Sequence, residues 1–248
     1  MNFQIPEYIE ARIRQSKPAG LPVVPGSTPV VAFGDVRNAH VATLGLNPSK
    51  LEFLDASGNE LTGQKRRLET LSSLGADDLS SAPADTIQRV FEGCNDYFRH
   101  SPYRRWFDVL EKILRPLGAS YYDRTACHLD LVQWATDPTW GKLQTVHRQS
   151  MIGADLLFLR QQLSNESIRL LLVNGRAVVS ACQARLGYAL TERAIPGRSR
   201  WKLFVGLTPE GVKVIGWNQN LQGSFGVSNE DINALGMAIA AARVEPLT

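Results

Sequence analysis

Apolar residues fall into short runs and helical stripes that alternate along the whole chain. Residues 6–16 carry the spacing of a short helix. The stretch PVVAFGDVRNAHVATLGLN reads as two strands, 29–34 and 40–46, joined by a turn around Asp35 to Asn38. Residues 49–84 are rich in turn formers, among them Gly58, Gly63, Gly75 and Pro83. ADTIQRVFEGCNDYF and RRWFDVLEKILRPL place apolar residues at helical intervals. TACHLDLVQW is a strand that runs into the polar loop ATDPTW, and TVHRQSMIGADLLFLRQQL is an amphipathic helix. IRLLLVNGRAVVSACQARL reads as a buried strand, a glycine turn and a helix. WKLFVGLTPEGVKVIGW reads as a hairpin turning at Pro209, Glu210 and Gly211. SNEDINALGMAIAAARV is a closing helix with Ser228 as its N-cap and Asp231 in its first turn.

Strands alternating with helices predict an α/β fold. The expectation is a single domain over residues 1–248, with residues 1–28 as an N-terminal extension. Its centre is a mostly parallel four-stranded sheet with helices on both faces. With 248 residues, 44% of them hydrophobic, the chain can bury one sizeable core. No apolar stretch reaches the roughly 18 residues that a membrane span needs. The start, MNFQIPEYIEARIRQSK, is charged throughout and is not a signal peptide. A soluble, cytoplasmic monomer with no membrane partner is expected. The formal net charge is only +3, so a nucleic-acid surface has to be a local patch. Cys94, Cys127 and Cys182 lie far apart and form no CxxC pair; His40, His100, His128 and His147 lack metal-ligand spacing. No metal and no cofactor are expected.

Ligands of such sheets bind beyond the carboxyl ends of the strands. Polar loops fall at that edge: Asn47-Pro48-Ser49, the segment after Asp130, and Asn218-Gln219-Asn220. A further strand ends in Val173-Asn174-Gly175, where Gly175 opens a helix whose N-terminus could face an anion.

In order and spacing these segments resemble the uracil-DNA glycosylase superfamily. GLNPS after a strand is similar to its first motif, GxNPG in the mismatch-specific and single-strand-selective branches. HLDLVQWATDP is similar to the second region, LLLVNGRAVV to a strand-to-helix element, and VIGWNQNLQGS stands where the superfamily has HPSP. The resemblance spans residues 41 to about 225 and implies a uracil-DNA-glycosylase-like fold acting on DNA.

Such an enzyme breaks the bond from deoxyribose C1′ to a base nitrogen. It must hold a water near C1′ and stabilise negative charge on the departing base. By resemblance Asn47 matches the water-holding asparagine, and Pro48 keeps it out of helical geometry. Leu46, Pro48 and Ser49 would line the base pocket. The second-motif base reader, usually asparagine, is Asp130 here. A carboxylate faces O4 of uracil lone pair to lone pair, but it accepts from the exocyclic amine of cytosine. Burial raises a carboxyl pKa, and a protonated Asp130 could also donate to N3. Asn218 replaces the histidine that would stabilise O2 of the leaving base.

Leu221 or Gln222 could fill the gap left by a flipped nucleotide, beside Asn220. Leu61 stands where a relative's phenylalanine stacks on the base, and Phe53 could stack instead. His128 shares a strand face with Asp130. Lys65, Arg66, Arg67, Arg104 and Arg105 are the candidate phosphate contacts, with Arg198, Arg200 and Lys202 adding charge in PGRSRWK. No lysine falls within the motifs, so no lyase chemistry is expected.

The expected activity is a monofunctional DNA glycosylase for a modified, cytosine-type pyrimidine. Bacterial antiphage members of the superfamily that remove glucosylated hydroxymethylcytosine are the attractive branch. The alternatives are a uracil-DNA glycosylase of repair and an inactive nucleic-acid-binding homologue.

Overall fold

The computed structural model describes residues 4–223 and 227–246. Met1 to Phe3 of the expected N-terminal extension and Ser224 of the fourth motif lie outside the described residues. In chain order the helices and strands are α1 (Glu7–Ile13), β1 (Val41–Gly45), α2 (Leu71–Leu74), α3 (Ala84–Asn95), α4 (Arg104–Leu114), β2 (Ala126–Asp130), α5 (Thr145–Asn165), β3 (Leu170–Asn174), α6 (Arg176–Ala181), β4 (Ala189–Ile195), β5 (Arg198–Leu207), β6 (Lys213–Trp217) and α7 (Asn229–Val244). The fold is α/β, built on one six-stranded mixed sheet in the order β2-β1-β3-β6-β5-β4.

The sheet has six strands where four are expected from the sequence. The strand that the sequence pattern does not show is β4, ALTERAI, whose side chains are mostly exposed or half-buried and which has no apolar face. It pairs antiparallel with β5, and β5 pairs antiparallel with β6. Charged side chains on such a strand suit a sheet edge. β1, β3 and β6 pair in parallel. Their residues are almost all buried, as expected of strands covered on both sides. A second correction concerns residues 29–34. The run is buried but forms no strand, because its backbone finds single partners: Val30 N–H donates to Gln133 O at 2.8 Å, and Gly34 N–H to Cys94 O at 2.9 Å.

The chain folds into two compact units, each assembled from separate segments. The first comprises the described residues of Met1–Asp35, Leu46–Tyr103 and Asp130–Gln161. Val23, Val132, Trp134, Leu143 and Met151 pack together there, with Leu21, Trp140 and Ile152 against them. Arg12 of α1 is buried in it. Its guanidinium meets Asp155 at 3.0 Å and Gln133 Oε1 at 3.2 Å, and lies 5.4 Å from the Trp134 ring centre. Met151, Asp155, Phe158, Leu159, Gln162 and Leu163 are the buried face of α5, at the expected helical spacing. Polarity does not follow that face strictly: Asp155 is inside and Leu157 is exposed.

The second unit comprises the described residues of Val36–Gly45, Arg104–Leu129 and Gln162–Thr248, and holds nearly the whole sheet. The parallel strands β1, β3 and β6 end together at Gly45, Asn174 and Trp217. At the centre of β6, a Cβ on Gly216 would meet Val179 Cγ2 at 2.8 Å, so only glycine lets α6 lie this close. The expected cap of α7 is in place. Ser228 Oγ accepts from Asp231 N–H at 3.1 Å, and the Asp231 carboxylate accepts from Ser228 N–H at 3.1 Å. Among the described residues, no helix is long and apolar enough to cross a membrane.

Candidate active site

In the first unit the chain leaves β1 and turns at Asn47 and Pro48. Leu46 O accepts from Val132 N–H at 3.0 Å, which joins this turn to the segment after β2. The Asn47 Nδ2 group donates to Trp134 O and Thr136 Oγ1, each at 3.2 Å, and to Pro48 O at 3.1 Å. These acceptors fix the direction of the amide. Oδ1 faces away from them, and no donor among the described residues reaches it. Pro48 is buried, and Ser49 Oγ caps the next turn by accepting from Leu51 N–H at 3.2 Å.

That turn, Lys50–Glu52, carries a residue that sequence reasoning missed. Glu52 is 1% exposed, between Leu51 and Phe53. Its carboxylate accepts from the Tyr97 hydroxyl at 2.6 Å. The same hydroxyl accepts from Tyr103 N–H at 2.9 Å. Arg67 donates to Leu51 O, its guanidinium lies 5.0 Å from the Tyr103 ring centre, and its charge acts on Glu52. Burial pushes the Glu52 carboxyl up to about 7; the Tyr97 hydroxyl and Arg67 pull it down, and the charge of Asp130 pushes it up. Burial, with Glu52 beside it, holds the Tyr97 hydroxyl well above the ordinary tyrosine range. A lone acid inside the apolar run LEFL was the available signal. Tyr97 was hidden because YFRHSPYRRWF reads as one exposed basic and aromatic patch, whereas Tyr97 is fully buried.

Leu46, Asn47, Pro48, Ser49 and Asp130 thus all belong to the first unit, and the charge of Asp130 acts on Glu52. Phe53 and Leu61 belong to the same unit, and Leu61 N–H donates to Phe53 O at 2.8 Å. Both side chains are buried, Phe53 at 1% exposed. Arg66 and Arg67 line a cleft of about 700 Å³, together with Gln64, Glu69, Arg89 and Asp96. Glu69 pairs with Arg66 at 3.7 Å and Arg89 at 3.3 Å, which holds both guanidinium groups on the wall. Lys65 is exposed beside it.

In the second unit the loop after β6 is organised by Asn174, which the sequence marks only as a strand end. Asn174 Oδ1 accepts from Trp217 Nε1 at 3.1 Å and from Leu221 N–H at 3.2 Å. Its Nδ2 donates to Gln222 Oε1 and, at 3.5 Å, to Asn220 Oδ1. Asn220 Oδ1 also accepts from Gln222 N–H at 3.0 Å, closing the turn. Gly175 has φ of +96°, and a Cβ there would meet Asn220 Cβ at 3.2 Å. At the start of α6, Arg176 N–H donates to Asn218 O at 3.1 Å.

Asn218 is engaged with β5. Its Oδ1 accepts from Lys202 N–H at 2.9 Å, and its Nδ2 donates to Arg200 O at 2.9 Å. This amide extends the β5–β6 pairing by one step, using one of the two Nδ2 hydrogens. Leu221 is 6% exposed, so it lies inside the unit, unlike a projecting wedge. His128 lies in the core of the unit. Its Nδ1 is 2.7 Å from Thr43 Oγ1, and its ring meets Phe107 edge-on. Arg104 reaches Asp108 at 3.2 Å and lies over the Tyr122 ring, and Arg105 is exposed. Cys94, Cys127 and Cys182 are buried; burial pushes the Cys94 thiol up to about 11 and the Cys182 thiol up to about 12. Among the described residues, no group of three or more His, Cys, Asp and Glu side chains could hold a metal ion.

No family model matches the chain, and no curated protein matches it.

Glu52 makes stability depend on pH with a definite sign. Its folded pKa lies above the unfolded value, so its contribution is full below about pH 4.5 and is lost as pH rises through about 7. The loss is on the order of 3 kcal/mol, from about 1.4 kcal/mol per pKa unit. Glu52→Gln is expected to flatten this part of the profile. Urea denaturation at both ends of the window reads it, and an unchanged slope would locate the proton elsewhere.

Asn174→Ala leaves Trp217 Nε1 and Leu221 N–H without their acceptor. A loss of about 1–3 kcal/mol for each unpaired donor is expected, with faster hydrogen exchange at Leu221. Asn174→Asp keeps the acceptor and should lose less. Wild-type stability in the alanine variant would mean that the loop is held by something else.

Proposed function

We propose that the protein is a monofunctional DNA glycosylase that flips a cytosine-type pyrimidine and hydrolyses its N-glycosidic bond. The observation that carries this reading is the Asn47 amide. Its nitrogen is tied to Trp134 and Thr136, so its oxygen is offered as a fixed acceptor. A fixed acceptor can take one hydrogen of a water and aim the water oxygen at C1′. In that step the bond from C1′ to the base nitrogen breaks, and its electron pair leaves with the base. The water oxygen bonds to C1′ and its proton is released. An amide is a poor base, which suits a transition state in which the leaving group has largely departed.

Asp130 belongs to the same unit as Asn47 and is 5% exposed. Its carboxylate accepts from an exocyclic amine, which cytosine has and uracil lacks. Glucosylated hydroxymethylcytosine is the narrower substrate that the sequence resemblance suggests, and helices on both faces of a uracil-DNA-glycosylase-like sheet the finer fold. Lys65, Arg66, Arg67, Arg104, Arg105 and Gln222 are the proposed DNA contacts of a monomer working in the cytoplasm. One observation favours a second reading, a DNA-binding protein without activity: Asn218 is tied to β5. Base release from DNA carrying uracil, thymine or modified cytosine separates the two.

Asn47→Ala should slow base release by on the order of 10²-fold, the usual size for one preorganised polar group, while DNA binding survives. Equal turnover in the variant would remove Asn47 from the chemistry.

Asp130→Asn restores an amide that can read uracil. Release of cytosine-type bases should fall and release of uracil should appear, a swing of about 1–3 kcal/mol in discrimination. If wild type already removes uracil well and the variant weakens every substrate, Asp130 is structural.

A further inference from the structure

The charged side chains on the wall of the first unit's cleft lie at two depths. Arg66, Arg67, Arg89 and Arg99 line it, together with Glu69, Glu92 and Asp96. The Arg66, Arg89 and Arg99 side chains are 35%, 46% and 61% exposed, against 15% for Glu69 and 29% for Asp96. Glu69 and Asp96 thus hold these guanidinium groups from behind, and the guanidinium groups meet the solvent. Glu69 also accepts from Ser73 Oγ. Glu92 is exposed, with its Oε1 taken by Gln88 Nε2 at 2.9 Å.

Most donors of the three arginines are unspent. Arg89 bonds to Glu69 and to Ser73 O through Nη2 alone, which leaves the donors on Nε and Nη1. Arg66 and Arg99 meet their carboxylates at 3.7 and 3.8 Å, as ion pairs too long for a hydrogen bond. Arg67 differs, being turned to Leu51 O and the Tyr103 ring. Planar guanidinium groups with free donors match the oxygens of a phosphate. The wall also leaves room for one. A Cβ on Gly93 of α3 would meet nothing closer than Glu69 Cγ at 3.7 Å, an ordinary contact. Packing therefore does not require glycine there, although glycine weakens a helix. The cleft of about 700 Å³ is of the size that takes a ligand.

We propose that this cleft seats the phosphate backbone of a DNA strand, with Arg66, Arg89 and Arg99 as its contacts. Arg89 and Arg99 add to the contacts already named. The proposal rests on the DNA-binding part of the glycosylase reading and not on base release.

Binding of short DNA strands of several sequences to the whole protein, followed by fluorescence anisotropy across chloride concentration, tests this. Arg89→Gln and Arg99→Gln should each weaken binding to every sequence alike and lower the salt slope by about 1. Arg185→Gln, which removes an exposed arginine of the second unit, should keep the wild-type slope. Gly93→Leu keeps every charge and fills the cleft, and it should weaken binding at all salt concentrations. Wild-type slopes in both arginine variants, or an equal drop in Arg185→Gln, overturn the proposal and leave the glycosylase reading standing. Full affinity in Gly93→Leu with a native melting curve does the same. Arg99 is the most exposed of the three arginines, so Arg99→Gln decides should another variant not fold. Wild type that binds DNA with these variant effects but releases no base supports the cleft and refutes the glycosylase reading. Wild type that binds no DNA overturns both.

Discussion

A strand covered on both sides has no face to give to a polar group. β1, β3 and β6 are such strands, and this constraint determines where chemistry can sit in the sheet. Polar side chains collect where these strands end, as at Asn174. Where one occurs inside a strand it must find a partner in the core. Thr43 of β1 does so, meeting both the Tyr121 hydroxyl at 2.5 Å and His128 Nδ1 at 2.7 Å. The same rule removes His128 from the site. Its position two residues before Asp130 gives it the same strand face, but Thr43 and Phe107 hold it as a core residue.

Two clusters of buried ionisable groups in the first unit are built differently. Arg12 and Asp155 face each other one to one, and Gln133 bonds to both: its Oε1 accepts from Arg12 and its N–H donates to Asp155. At Glu52 burial is the largest influence and raises the carboxyl, while the Tyr97 hydroxyl and Arg67 lower it and Asp130 adds a smaller upward push. Burying a carboxyl is one way a scaffold places a group that titrates near neutrality.

Asparagine is used three ways at the ends of these strands. Asn47 has its nitrogen tied and its oxygen offered. Asn174 has both ends tied and acts as the fastening of a loop. Asn218 has both ends tied to a neighbouring backbone and acts as one more rung of the sheet. The side chain is the same in each case. What differs is which of its donors and acceptor the surrounding backbone has already taken.

Much of the fold was legible in the chain because it follows from local pattern. The continuous apolar runs gave β1, β2 and β3, the 3.6-residue stripe gave α3, α4 and α5, and Ser228 with Asp231 gave the start of α7. β4 was not legible, since its residues alternate without an apolar face and only pairing with β5 makes them a strand. Residues 29–34 show the reverse, an apolar run that is buried without a ladder to join. At the candidate site, the sequence singled out Asn47 and Asp130 through the turn and the strand end that carry them. It could not reveal that Tyr97 and Arg67, 45 and 15 residues beyond Glu52 in the chain, would meet it. Nor could it tell an amide that is offered from one that is tied. Those facts depend on contacts between segments far apart in sequence, and only the tertiary structure decides them.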